Sequence, residues 1–151
     1  MREIVKYSGC FVCGDQNSNG LKVHFYADGE EVVAECTADA RFQGYKSIFH
    51  GGVVSALLDE IMAKAILAQE IYPLTAEMTV RFRKAVPTGQ RLLLRGRITS
   101  RRGRMFETAG ELTDGDGEVF ATATGKYIEA SGTMLEALQS SLERPSDPAE
   151  S

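Results

Sequence analysis

Several absences narrow the function of this 151-residue chain before any motif is considered. Positive charge is not in surplus: 17 Lys and Arg stand against 21 Asp and Glu, a net charge of -4. Nucleic-acid backbones are bound by clustered cations, so no nucleic-acid partner is expected and any phosphate contact must be local. Long apolar runs are also missing. Met1 to Cys10 carries Arg2, Glu3 and Lys6 among few apolar residues, so no secretory signal peptide is expected. No later run reaches the length of a membrane-spanning helix, and no membrane partner is expected either. Cysteine is scarce, and Cys10, Cys13 and Cys36 form an odd set that fits a reducing compartment better than a disulfide framework. The expected location is cytoplasmic. There is no internal repeat and no linker, and 43% hydrophobic content in a chain of this length suits one core rather than two.

What is present divides into three stretches. Residues 1–20 form an N-terminal segment in which Cys10-Phe11-Val12-Cys13 leads into a run dense in turn formers, Gly14 to Gly20. Residues 21–130 read as one domain. Leu21 to Tyr26 alternates, Asp28-Gly29 signals a turn, and Glu31 to Cys36 reads as a second strand, together a hairpin. Val53 to Ala68 follow Gly51-Gly52 as the strongest helix in the chain, apolar at 54, 57, 58, 61, 62, 65 and 66 and also at 53, 56 and 67. From Thr75 onward the period changes to two, with runs around Met78 to Phe82, Leu92 to Ile98, Phe106 to Leu112 and Val119 to Ile128, separated by turn residues. A single helix apolar on most sides, among strands joined by hairpins, is best buried by a sheet that curls around it. Residues 131–151 read as a short helix, Gly132 to Leu142, and a flexible tail too polar to pack.

Arg41 to Gly52, with His50-Gly51-Gly52 at its end, is followed by Leu57-Leu58-Asp59-Glu60 and later by Thr75-Ala76-Glu77-Met78-Thr79-Val80. This combination resembles the hotdog-fold acyl-CoA thioesterases of the phenylacetyl-CoA-thioesterase-like group, over roughly residues 10 to 128. The resemblance implies an α+β hotdog fold, a long central helix wrapped by a curved antiparallel sheet of five to six strands. It also implies hydrolysis of an acyl-CoA to free acid and CoA without a cofactor.

Physical argument supports the same residues. The first N–H groups of a helix lack intrahelical acceptors and sit at the positive end of its dipole. Gly51 N–H is therefore suited to stabilise the oxyanion of a thioester under attack, and Gly52 leaves room for a ligand. Asp59 and Glu60 point about 100° apart on a helix, so one must be chosen as the catalytic group. Glu60 has Lys64 four residues on, the pattern of an exposed ion pair, whereas Asp59 has no charge partner at those spacings. A mid-helix aspartate is otherwise unfavourable, and the resemblance also puts the catalytic carboxylate at Asp59. Asp59 lies about 12 Å along the axis from Gly51, too far for both to act on one thioester within one chain. If both act, they come from two subunits of a homodimer, as the resemblance implies, and a dimer of dimers is compatible with this. Asp59 would act as general base on water or as nucleophile.

His50, Gln43 and Thr75 enter as supporting catalytic residues through the resemblance: His50 to orient the thioester or the loop, Gln43 beside the attacking group, Thr75 to bind the lytic water. Phe42, Tyr45 and Phe49 are expected to line the acyl pocket. Arg81, Arg83 and Lys84, read as alternating on one strand, and Arg101, Arg102 and Arg104, clustered at the next hairpin, could bind the CoA phosphates, or equally guard a solvated strand edge. Two alternatives stand beside hydrolysis. A hotdog dehydratase would show Pro-Gly at a distance from its histidine, and a noncatalytic acyl-CoA-binding module would tolerate loss of Asp59. Cys10 and Cys13 have the spacing of half a zinc site or a redox pair, with Cys36 and His24 as loose completions; no metal is expected.

Overall fold

A computed structural model describes residues 1–143. The polar stretch from Pro145 expected to fray lies outside them. In chain order the elements are β1 (Arg2–Glu3), β2 (Phe25–Asp28), β3 (Glu31–Thr37), a 3-10 turn (Ala40–Phe42), α1 (Gly51–Leu67), β4 (Pro73–Phe82), β5 (Arg91–Arg102), β6 (Met105–Thr113), β7 (Val119–Glu129) and α2 (Gly132–Ser141). The strands form one antiparallel sheet in the order β1-β2-β3-β5-β6-β7-β4. This is the expected hotdog, with seven strands instead of five or six. The extra strand is β1, whose two residues pair with Tyr26 and Ala27.

The stretch Leu21 to Tyr26 does not behave as one strand. Lys22 takes a left-handed φ of 56°, and the N–H groups of Leu21 and Val23 bond to the carbonyls of Phe11 and Val12. Those ladder positions are occupied by the cysteine loop, so regular pairing begins only at Phe25.

α1 is nearly enclosed. Val54, Leu57, Leu58, Ile61, Met62 and Ile66 are buried, and the helix packs against β3, β4, β5, β6 and β7. The sheet makes room with small residues in register. Gly96 pairs with Gly110, and Gly110 with Ala123, so a low row crosses the sheet under the helix. A Cβ on Gly96 would lie 2.7 Å from the carbonyl oxygen of Ile61, which is backbone and cannot swing aside. Three register shifts, at Thr75/Glu77, Ile98/Ser100 and Leu112/Thr113, add local bends to the curl. Along β5 the alternation is clear, with Leu92, Leu94 and Gly96 turned to α1 and Arg91, Arg95 and Arg97 outward.

Because overpacking against backbone forces the helix off its seat, Gly96→Ala should lower stability by about 1–3 kcal/mol. Urea unfolding would read this as a lower midpoint with unchanged slope, and an unshifted midpoint would mean that α1 is not seated this closely.

Candidate active site

The start of α1 is built around His50. Its extended backbone (φ -63°, ψ 131°) makes it the N-cap, and its Nδ1 accepts the Gly52 N–H at 2.8 Å. The carbonyl oxygen of His50 accepts from Val53 and Val54 at 3.0 and 3.1 Å. Gly51 N–H alone in this first turn has no acceptor among the described residues. A Cβ on Gly52 would sit 3.0 Å from the His50 ring, so the cap packs closely on this residue, which also lines the cavity at the helix start. At Gly51 an added Cβ would meet only the ring edge of Phe82 at 3.5 Å, an ordinary contact, and the residue is exposed.

A cavity of about 830 Å³ opens at this helix start, lined by Gln43, Tyr45, Phe49, His50, Gly51 and Phe82. Gln43 uses its Oε1 to accept from Ser47 N–H at 3.1 Å, shaping the loop before the helix. Phe49 is buried and Tyr45 exposed, so only the latter is free to move. Phe42 does not join this cavity. It packs edge-on against Phe11 and lines a second cavity of about 560 Å³, with Phe49, Leu57 and Cys36. Phe82, 56% exposed at the end of β4, was not expected in the site; it ends the same apolar alternation as Met78 and Val80.

The expected arginines separate. Arg81, Arg83 and Lys84 do not alternate on one strand, because β4 ends at Phe82 and the N–H groups of Arg83 and Lys84 both turn to the carbonyl of Phe120. Arg83 and Lys84 therefore line the helix-start cavity, whereas Arg81 lines a depression on the outer face of the sheet with Arg95 and Arg97. Arg101 and Arg102 stand at the β5–β6 turn, Arg101 over the Phe106 ring and 3.6 Å from Glu129.

Asp59 lies two helical turns further along α1. Its Oδ1 accepts from Thr75 Oγ1 at 2.9 Å and from the Tyr127 hydroxyl at 2.7 Å. Tyr127 is fully buried, and burial together with the Asp59 charge holds its phenol well above the ordinary range, so it remains a donor. Thr75 pairs with Tyr127 across β4 and β7, next to the register shift in β4. Asp59 and Thr75, both expected in the site, are in contact, whereas Tyr127 was missed because nothing in an alternating strand distinguishes a tyrosine that faces a carboxylate.

Glu60 and Lys64 are not an exposed pair. They lie 3.8 Å apart, but Lys64 is 1% exposed and donates to the carbonyl of Val5. The N-terminal segment, anchored by Ile4, covers this flank of α1, which helical spacing alone could not foresee. Burial pushes the Glu60 carboxyl up to about 7. The thiols of Cys10 and Cys13 lie beside it, Cys10 Sγ donating to Glu60 Oε1 at 3.8 Å, while His24 is drawn away to Glu3 at 2.6 Å.

A family model described as the thioesterase superfamily matches residues 47–121, the stretch from just before the helix cap to the start of β7. The chain belongs to the thioesterase superfamily. In three dimensions this superfamily member is similar to a crystallised thioesterase superfamily protein at 27% identity and TM-score 0.76, over 81% of this chain and 61% of that one. It thus spans less than two thirds of that protein's length. It is similar in fold to the Escherichia coli protein from the phenylacetic acid degradation operon, at 19% identity and TM-score 0.69 over 74% and 82% of the two chains. A Streptococcus pneumoniae hypothetical thioesterase solved with coenzyme A matches at 16% identity and TM-score 0.68, over 72% and 89%. Among curated proteins none matches. No helix of the described residues is long and apolar enough to cross a membrane.

In this superfamily member Tyr127→Phe should lower stability by about 1–3 kcal/mol, since a hydrogen bond to a partly buried carboxylate is lost. Thr75→Val, at an exposed position, should cost less. Equal urea midpoints for Tyr127→Phe and the parent would mean that Asp59 does not depend on the phenol.

Proposed function

We propose that the protein is a thioesterase that hydrolyses an acyl-CoA to free acid and CoA, at a site completed by two copies of the chain. The observation that carries this reading is the split along α1. A carboxylate held by two hydroxyls stands at one end, and at the other Gly51, whose N–H has no acceptor among the described residues, lines a cavity. Each supplies half of what thioester hydrolysis needs, and about 12 Å of rigid helix keeps them apart within one chain.

β4 gives a means of joining the halves. It is ten residues long, lies at the sheet edge with β7 on one side, and exposes Leu74 and Phe82. Such an edge is a template for another strand. If two copies pair antiparallel through β4 about a two-fold axis near Met78, the Thr75 end of one meets the Phe82 end of the other. Asp59 of one copy then approaches the Gly51 cavity of its partner. Arg101 and Arg102 share the Asp59 end, since Arg101 pairs with Phe106, Phe106 with Tyr127 and Tyr127 with Thr75. With Arg83 and Lys84 of the partner's cavity rim, they are the candidates for the CoA phosphates.

The chemistry follows. Gly51 N–H donates to the thioester carbonyl oxygen and stabilises its developing charge. Asp59 either takes a proton from a water that attacks the carbonyl carbon or attacks that carbon itself, giving an anhydride that water opens. The carbon–sulfur bond breaks and the CoA thiolate leaves to be protonated. Thr75 donates to Asp59 and retains lone pairs that can hold the water.

Relatives support the substrate class. Besides the S. pneumoniae protein with coenzyme A, a Streptococcus mutans protein was solved with acetyl-CoA. The S. pneumoniae protein was also crystallised with substitutions at an aspartate and a threonine sixteen positions apart, the separation of Asp59 and Thr75 here.

A thiol-reactive dye assay over a panel of acyl-CoA esters tests the activity. Asp59→Asn should lower kcat/KM at least about a hundredfold at unchanged fold, and equal turnover would remove Asp59 from the mechanism. The shared site has its own test. Gly51→Pro deletes only the N–H, because proline is accepted at the first helical position and His50 already has the extended backbone that precedes a proline. Each variant alone should be nearly inactive. Refolding the two together in equal amounts should restore about a quarter of parent activity, since half the dimers are mixed and each mixed dimer has one intact site. No recovery on mixing would place both groups in one chain.

A further inference from the structure

Cys10, Cys13 and Glu60 have no part in the hydrolysis proposed above, yet their side chains converge. One donor atom from each lies within 4.8 Å of the other two. Cys10 Sγ and Glu60 Oε1 are 3.8 Å apart. In a tetrahedral zinc site with Zn–S near 2.3 Å and Zn–O near 2.1 Å, that edge is about 3.6 Å, so this pair already has nearly the spacing of two ligands.

The backbone holds the sulfurs on one side of a tight loop. Gly14 N–H donates to the Cys10 carbonyl at 2.9 Å, and Cys13 N–H points to Cys10 Sγ at 3.5 Å. Any side chain at position 14 is shut out, because a Cβ would lie 2.4 Å from the Ser8 carbonyl oxygen and 2.6 Å from Cys10 N. An N–H directed at sulfur favours the thiolate, the form that binds metals.

Charge makes the third condition. Lys64 is buried behind Glu60, with Nζ 3.8 Å from the carboxylate, and is anchored to the Val5 carbonyl. Two thiolates and one carboxylate total three negative charges. One divalent cation and the Lys64 ammonium total three positive charges, so the filled cluster is neutral, which is what a buried site requires. A Cys10–Cys13 disulfide would use neither Glu60 nor Lys64.

We propose that Cys10, Cys13 and Glu60 form a structural binding site for one divalent cation of the zinc class, with water as fourth ligand. The cation enters without change of oxidation state, each cysteine loses its thiol proton to solvent, and two sulfur–metal bonds and one oxygen–metal bond form. Cys10 is partly exposed and gives the water and the ion their path. The ion would tie the N-terminal loop to α1 at the residue after Asp59.

The full chain, purified without a metal-binding tag and kept reduced, is analysed for metals by mass spectrometry and then reconstituted with Co²⁺. About one zinc per chain is expected, and the cobalt form should show thiolate-to-cobalt charge transfer. Glu60→Gln should weaken zinc binding at least about tenfold, and the double variant Cys10→Ser, Cys13→Ser should abolish it. Alkylation of the unmutated chain gives a readout independent of variant folding: zinc should protect Cys10 and Cys13, and a chelator should expose them. Equal alkylation with and without zinc overturns the proposal, as does zinc affinity no higher than that of the double variant. A chain that binds no zinc and closes a Cys10–Cys13 disulfide under peroxide also overturns it, in favour of a redox pair. Thioester hydrolysis is not the readout, so this site and the proposed activity stand or fall separately.

Discussion

The seat of α1 on the sheet is the constraint from which the rest follows. At Gly96 the helix backbone comes close enough that no Cβ fits between strand and helix, and Gly110 and Ala123 continue that low row across the sheet. Such contact leaves the helix little freedom to slide or roll. Its rotation is thereby set, with Asp59 directed to Tyr127 and Thr75 and Glu60, about 100° around, directed to the cysteine loop. Two adjacent acidic residues thus meet two unrelated environments. One carboxylate sits among hydroxyl donors, the other between thiols and a buried ammonium.

Much of this was legible in the sequence because it is encoded locally. The helix could be read from an apolar pattern too broad for one stripe, and the long strands from alternation interrupted by turn residues. The start of the helix at Gly51-Gly52 was legible too, although His50 was read as orienting the thioester or the loop and not as the N-cap that it forms. Asp59 and Thr75, sixteen residues apart, entered the site as separate groups, Thr75 only through the resemblance, and they are in contact.

What escaped the sequence depends on segments that pack from a distance. Glu60 and Lys64 have the spacing of a surface pair, and only the N-terminal segment folding over that flank reverses their environment. The same segment takes the backbone partners of Leu21 and Val23, which is why an alternating stretch fails to begin its strand on time. In each case the local pattern was sound and a contact outside its window decided the outcome.

The irregularity in β4 has a wider meaning. Thr75 and Glu77 pair with consecutive residues of β7, Tyr127 and Lys126, so Ala76 is a supernumerary residue that resets which odd and even positions look inward. Only because of it does the Thr75 hydroxyl share the helix side with Met78 and Val80. Were Ala76 instead paired in unbroken register, alternation from Met78 would turn Ala76 and Leu74 inward and offer methyl groups to the carboxylate in place of an alcohol. Parity along a single strand therefore separates a competent fold from a competent site.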